Sequence, residues 1–441
     1  MKKIIYYLTF YLLILSCASN EYINVNYRNE HCSTFVSKEE AINEVTSLLE
    51  NLQIKTKTSM REIDLDNVYS TGETINTRGD ISSNISPLVY IINFKNEQGY
   101  AIVSGDKRTQ PIFALMDSGT LKEGDVLTNP GAIMMLSLAE ADYLKMINSQ
   151  EDQLFFIDQQ DIRTKVPEHD LWNDFTTWGH ILECEWGQDT TPYNLYTFTS
   201  DGKQAVTGCA SVAVAQILYY WGVDFTVDGT RLEWEKMRRQ ISHNSIMYPP
   251  AYEMIGKLFS ELGSNENLNT KYGVDKSSSS PDNFVRTFKN CGLQDGGKME
   301  AYNYDLITEA IKKGPILVTG YSKKITTKKQ ILGITISTTT SYEGGHAWVI
   351  DQLLTRHRTK YAYSNGEVHP VEQYEHLVHC NMGWHGSSNG YYFSGKFDTN
   401  KGGYITDITK DFTKTSSEGE NNFYQFNLQM NIGINNPIRY E

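Results

Sequence analysis

Apolar positions follow two different patterns along this chain. Toward the N-terminus they recur at helical or strand spacing between polar stretches. Ser37-Lys38-Glu39-Glu40 reads as a capping box, with Ser37 as N-cap and Glu40 reaching back. Ala41, Val45, Leu48, Leu49 and Leu52 follow at the spacing of one helix face, which predicts an amphipathic helix over 38–52. The polar stretch from Thr56 to Ser86 reads as loop. Leu88–Phe94 and Tyr100–Gly105 are apolar runs flanking Lys95-Asn96-Glu97-Gln98-Gly99, which predicts a hairpin. Pro130 opens a second predicted helix, whose broad apolar face includes Ile133, Met134, Leu136, Leu138, Ala141, Leu144 and Ile147. These elements make a small α+β unit ending near residue 150. The charged run from Asp158 to Lys165 then reads as an exposed linker.

Past the linker the pattern changes. Ala210 to Trp221 is apolar on almost every face and stops at Gly222, so a helix buried all round is expected. Pro315–Thr319, Ile331–Ser337, Ala347–Leu353 and Tyr361–Tyr363 read as strands. At the end, Tyr424, Phe426, Leu428, Met430 and Ile432 alternate with polar residues, as in a half-buried antiparallel strand. The predicted class is α+β: a central helix packed on a twisted antiparallel sheet, preceded by a smaller α+β domain.

Composition narrows the function classes. The chain has 441 residues, 39% of them apolar, which is enough for more than one core. Its 40 Lys and Arg against 53 Asp and Glu give a net charge of −13. Nucleic acid is therefore not an expected partner, nor is electrostatic docking on an anionic membrane. Six cysteines without a C-x-x-C pair offer no zinc ribbon and no thioredoxin-type chemistry. Lys2 and Lys3 before the apolar run Ile4–Leu15 have the form of a secretory signal. Ile14-Leu15-Ser16-Cys17 resembles a bacterial lipobox, so residues 1–16 read as a lipoprotein signal and Cys17 as a lipid attachment point. The alternative is an ordinary signal cut near Ala18 or Ser19. Either way the protein is expected to be exported, to the cell envelope or beyond it, with Cys17 its only link to a membrane.

Thr207-Gly208-Cys209-Ala210-Ser211 puts a thiol at the first turn of the buried helix. Unpaired N–H groups and the helix dipole favour an anion there, which suits a nucleophile. Taken alone, the segment fits a packing cysteine equally well. Glu343-Gly344-Gly345-His346-Ala347-Trp348 adds a histidine at the head of an apolar strand, with two glycines leaving space beside its ring. That is the rigid placement a general base needs. His379-Cys380-Asn381-Met382-Gly383-Trp384 adds an Asn able to accept the imidazole's other N–H and a Trp able to shield that bond.

The order Cys, His, Asn, with His346 lying 137 residues after Cys209, fits papain-type spacing of about 130–150. Over nearly its whole length the chain resembles the streptopain family of papain-fold cysteine proteases. Tyr90–Phe94 with Gln98–Arg108 is similar to that family's propeptide. Trp186-Gly187-Gln188, Pro192-Tyr193-Asn194, Thr207-Gly208-Cys209 with Ala215-Gln216-Ile217, and Gly345-His346-Ala347 with Val349-Ile350-Asp351 are similar to its catalytic segments. The resemblance implies a secreted or envelope-anchored cysteine endopeptidase made as a zymogen. Its propeptide would be residues 17–165, acting as its own inhibitor, and its protease domain residues 166–441. It implies Cys209 and His346 as the catalytic dyad, Gln188 as an oxyanion-hole donor, and Asn381 and Trp384 as supporting residues. Protein or peptide substrates are implied, without a cofactor or metal. Met382 departs from the family pattern, standing where it has a first Trp.

His376, His379, Cys380 and His385 are close enough in sequence to raise zinc. On an extended strand, however, 376 and 380 face one way and 379 the other. Cys184, Cys291 and Cys380 read as buried thiols, with a disulfide left open. Two other functions use the same residues: a hydrolase of peptidoglycan peptides, and a lipoprotein that keeps the protease fold for adhesion or binding.

Overall fold

The computed structural model describes residues 32–33, 35–56, 61–75, 85–123, 155–157, 171–237, 249–331, 334–364, 367–393 and 426–436. The signal segment with Cys17, the helix expected from Pro130, the linker 158–165 and Tyr424 lie outside the described residues.

A two-residue strand, β1 (Cys32–Ser33), precedes α1 (Lys38–Thr56). The capping box forms as predicted: Glu40 N–H donates to Ser37 Oγ at 3.1 Å and Ser37 N–H to Glu40 Oε2 at 2.7 Å. Ala41, Val45, Leu48, Leu49 and Leu52 are all buried, and the helix runs one turn beyond its expected end. Strands β2 (Ile63–Ile75), β3 (Ile85–Phe94), β4 (Tyr100–Ser104) and β5 (Ile112–Met116) form an antiparallel meander. β2 corrects the reading of 56–86 as loop. This strand buries Val68 but leaves Leu65 63% exposed, so it carries no clear alternation; pairing with β3 holds it in place of an apolar face. The β3–β4 hairpin is found where it was predicted. It closes at Gly99, with φ +98° and an ideal Cβ position only 1.9 Å from Met116 O, where no side chain fits.

β6 (Phe155–Ile157) pairs with β1, and both belong to a small unit of residues 1–34, 150–171 and 358–373. Apart from residues 358–364 of β12 and 367–373 of β13, all that follows concerns the larger unit. Its next elements are β7 (Asn173–Gly179), α2 (Cys209–Trp221), the short pair β8 (Thr226–Val227) and β9 (Thr230–Arg231), and α3 (Trp234–Met237). Then come α4 (Pro249–Leu262), α5 (Phe284–Asn290), β10 (Asp295–Ala301), α6 (Tyr304–Ala310) and β11 (Ile316–Ile331). β12 (Ile334–Ser364), β13 (Glu367–Asn381), β14 (Gly390–Phe393) and β15 (Phe426–Asn435) complete it.

α2 is the predicted central helix. Residues Ala210 to Leu218 are buried without a break, and Gly222 ends the helix in the left-handed conformation, its N–H bonded to Leu218 O. Around α2 lie Leu258 and Phe259 of α4, Phe284 and Phe288 of α5, Leu317 of β11 and Val349 of β12. Residues 316–319 and Ile331 lie in β11, and residues 334–337, Ala347–Leu353 and Tyr361–Tyr363 are parts of the single strand β12. β15 alternates only in part: Leu428 and Met430 are buried, but so is Asn431, which donates to Gly296 O of β10 at 2.9 Å.

The strands follow the order β10-β15-β11-β12-β13-β14-β5-β4-β3-β2. The N-terminal meander thus docks on the C-terminal sheet by strand addition, with Gly390 opposite Met116 and Tyr391 opposite Leu115. The core is shared across this junction, since Leu48, Ile102 and Leu115 cluster with Trp348, Leu377 and Tyr391. A buried ion pair reinforces the same junction. Arg356 and Glu375, both fully buried, bond to each other; Glu375 also accepts Ile112 N–H at 3.1 Å, and Arg356 lies 3.8 Å from Glu44 of α1. Removing one partner of such a pair strands the other's charge in the core. Glu375→Ala is therefore expected to lower the urea-unfolding free energy of the full-length protein by about 3–5 kcal/mol. A loss below about 1 kcal/mol would show that the pair is not needed to hold the junction.

Candidate active site

α2 begins at Cys209 because Gly208, with φ +91°, turns the chain sharply into the helix. An ideal Cβ at Gly208 would approach Ser277 Cβ to 3.2 Å. Cys209 is partly exposed, and the N–H groups of Ala347, Ala210 and Cys209 itself face its sulfur. Burial nevertheless pushes the thiol above its ordinary value, and those N–H groups offset it only in part.

The Ala347 contact sets the sulfur against the backbone of the residue that follows His346. Residues 340–345 of β12 are exposed and 346–350 are buried, so His346 stands where the strand enters the core. Gly345 opposite Tyr321 leaves room for the tyrosine ring, which an ideal Cβ would meet at 3.0 Å. The His346 ring packs on Trp384, with centroids 4.5 Å apart, and is stacked with Trp348 at 6.1 Å. Its Nε2–H donates to Met382 O at 3.0 Å. Burial drives its pKa down to about 4, against a smaller upward pull from the Met382 carbonyl.

The expected imidazole acceptor was Asn381, but the bond found goes to the next residue's backbone. Asn381 Oδ1 accepts from Gln216 Nε2 at 2.8 Å and from Gly383 N–H at 3.2 Å, which occupies both of its lone pairs. Its Nδ2 donates to Cys184 O at 2.9 Å. Asn381 thus ties α2, through Gln216, to the segment leading to Trp186. The turn at Gly383 (φ +71°) presents the Met382 carbonyl to the ring. Met382 N–H is in turn held by Asn389 Oδ1 at 2.9 Å.

Gln188 lies in the loop after the buried Trp186, and its carbonyl accepts Thr207 N–H at 2.8 Å, two residues ahead of Cys209. Of the expected site residues, Gln188 is thus tied by its backbone to Thr207 just ahead of α2, Trp384 packs on His346, and Asn381 meets α2 at Gln216, about two turns beyond Cys209. The other expected motifs support this loop: Tyr193 packs edge-on against Phe259, and Asn194 Nδ2 donates to Asp189 O at 3.1 Å. Cys184, Cys291 and Cys380 are buried free thiols, and burial raises the pKa of each, that of Cys291 to about 12.

One cluster was not anticipated. His379 is fully buried between two carboxylates, with Nδ1 2.6 Å from Asp351 Oδ1 and Nε2 2.8 Å from Asp117 Oδ2. Burial opposes its charge, but Asp351 and then Asp117 outweigh it, and the pKa rises to about 10. Asp117 follows β5 in the N-terminal meander and also pairs with Arg61 at 3.2 Å. Its N–H donates to Asn389 O at 3.1 Å, so the meander grips the residue that holds Met382. Asp351, a carboxylate inside an apolar strand, was the one visible signal of this cluster.

The profile of the Peptidase C10 family matches residues 186–392, and that of the Spi protease inhibitor matches residues 33–143. No curated protein matches the chain. Among solved structures, a Prevotella intermedia prointerpain A fragment carrying a Cys-to-Ala substitution is similar over 81% of this chain and 98% of its own. The identity is 16% and the TM-score 0.43. Active wild-type Prevotella intermedia interpain A cysteine protease is similar over 58% of this chain and 93% of its own, at 20% identity and a TM-score of 0.33.

Proposed function

Because the chain carries a peptidase C10 (streptopain family) cysteine endopeptidase domain behind a Spi-type inhibitor domain, we propose an exported zymogen that cuts protein substrates through Cys209 and His346. The thiol's placement at the N-terminus of α2, under the Ala347 N–H next to His346, carries this reading. In the proposed reaction His346, its Nε2–H held by Met382 O, takes the Cys209 proton on Nδ1. The sulfur attacks the scissile carbonyl carbon, and charge develops on the carbonyl oxygen. The Gln188 side-chain amide and the Cys209 N–H stabilise that oxyanion, a contribution of about 10²–10³ in rate for one such donor. His346 returns the proton to the leaving amine, and water then releases the acyl group by the same steps in reverse. Asn381 acts one step removed, fixing the turn that presents the Met382 carbonyl, and Trp384 covers the imidazole.

The zymogen reading accounts for the titration directions. Burial lowers the His346 pKa to about 4 and raises that of Cys209, and both directions favour the uncharged thiol and imidazole expected of a latent form. Residues 17–165 are the proposed propeptide, which grips the 382–389 turn through Asp117 and Asn389. Cleavage near Lys165 frees residues 166–441. If Cys17 is lipidated behind a signal at 1–16, that cut also releases the protease from the membrane.

In mildly reducing, near-neutral buffer the full-length protein should shorten to a species starting near Lys165. The product should hydrolyse casein and leave purified peptidoglycan intact. Peptidoglycan cleavage without casein cleavage would favour the wall-hydrolase reading, and cleavage of neither a binding role. A precursor as active as the trimmed form would end the inhibitory role of the propeptide.

A further inference from the structure

We propose that His385 is a positioning residue that sets the oxyanion loop carrying Gln188, an inference that rests on the reading of Gln188 as a donor. The loop is held from both sides by one imidazole. His385 Nε2–H donates to Asp189 Oδ1 at 2.6 Å, with the Thr190 hydroxyl 3.4 Å away. The ring occupies the space beside Gly187, where an ideal Cβ would fall 2.0 Å from Cε1 and 2.2 Å from Nε2. His385 N–H donates to Trp186 O at 3.3 Å, and the ring packs at 5.4 Å on Tyr193. The ring thus packs against the residue before Gln188 and bonds to the residue after it, while Gln188's own carbonyl is fixed by Thr207 N–H.

His385 adopts φ +54° at the end of the turn that presents Met382 O and Trp384 to His346. One short turn therefore orients the base with its first residues and the oxyanion donor with its last. An oxyanion hole works only when its donor is already in place as charge develops, and a displacement of about 1 Å can cost 10²-fold. Asp189 is 60% exposed, so its bond to His385 adds little to fold stability, and its role is geometric. It also explains the glycine at 187, since any side chain there displaces the ring.

The test uses full-length variants cleaved in the 158–165 linker by a trace of wild-type enzyme. His385→Ala should lower kcat about 10- to 100-fold with KM within about twofold. Affinity for a peptide aldehyde, whose thiol adduct places an oxyanion in the same hole, should fall in parallel. The rate of Cys209 alkylation by iodoacetamide, which forms no oxyanion, should not change. Asp189→Ala, at an exposed side chain, should reproduce the kcat loss without threatening the fold. Gly187→Ala should be damaging in the wild type and add less than about twofold once His385 is Ala, because the clash is gone. Alkylation falling in step with kcat, or equal Gly187→Ala costs in both backgrounds, would overturn the proposal. If Gln188→Ala is harmful while His385→Ala is harmless, the positioning role alone is lost. A harmless Gln188→Ala removes the underlying reading.

Discussion

Cys209→Ala is expected to abolish casein hydrolysis and to leave the protein at full length. In the proposed mechanism the other cysteines described with their side chains, Cys184, Cys291 and Cys380, offer no substitute, because they are buried and burial raises the pKa of each. Loss of a covalent nucleophile from a protease typically costs on the order of 10⁶ in kcat. The variant should still fold, since Cys209 is partly exposed and its removal opens no deep cavity. Mixed with active enzyme, it should be trimmed near Lys165 like the wild type, which separates a chemical defect from a folding defect. Hydrolysis within tenfold of wild type by a purified Cys209→Ala protein would contradict the assignment.

The second large effect is expected at Asp117, where the N-terminal meander reaches the buried His379. Asp117→Asn keeps the shape but withdraws one of the two carboxylates that hold the charged ring. Breaking a buried pair costs about 3–5 kcal/mol, although Asp117 is partly exposed and Arg61 and Asp351 remain, so the lower end applies. The precursor of this variant should open more often. Iodoacetamide should alkylate its Cys209 at least about tenfold faster than in the wild-type precursor, and trimming should accelerate. The pH dependence has a definite sign. His379, raised from 6.5 to about 10, contributes fully below about pH 6.5 and loses that contribution as pH rises toward 10. Asp117 is held below its ordinary value by His379 and Arg61, which together outweigh its burial. Its contribution is present above about pH 4 and is lost as pH falls through its lowered pKa. The latch is thus strongest from about pH 4 to 6.5, and Asp117→Asn should reduce the alkaline loss of precursor stability. An unchanged profile and alkylation rate would show that the latch does not hold the meander.

Much of this arrangement was legible in the residues, and the exceptions have physical reasons. The capping box at Ser37, the apolar face of α1 and the all-buried α2 are local patterns, and they formed as written. β2 was hidden because its stabilisation is the backbone ladder to β3, which leaves no mark on side-chain type. Cys209 and His346 could be singled out because a helix start and a glycine-flanked strand head are visible in sequence. The Met382 carbonyl could not, since every residue has one and only the turn at Gly383 selects it. The Asp117–His379–Asp351 cluster joins segments more than 200 residues apart, and no local pattern announces such a contact. In sequence His385 reads only as a possible zinc ligand; its loop contacts depend on the same long-range closure.

Cys209 is thus proposed as the nucleophile of a protease that stays latent until its N-terminal segment is cut away. The most direct measurement is peptide mapping by mass spectrometry after treatment with a peptidyl acyloxymethyl ketone, before and after trimming. About one label per trimmed molecule is expected, on Cys209, in proportion to activity lost, with little label on the precursor. Label on another residue accompanying the loss of activity, or full inactivation with Cys209 unmodified, would contradict it.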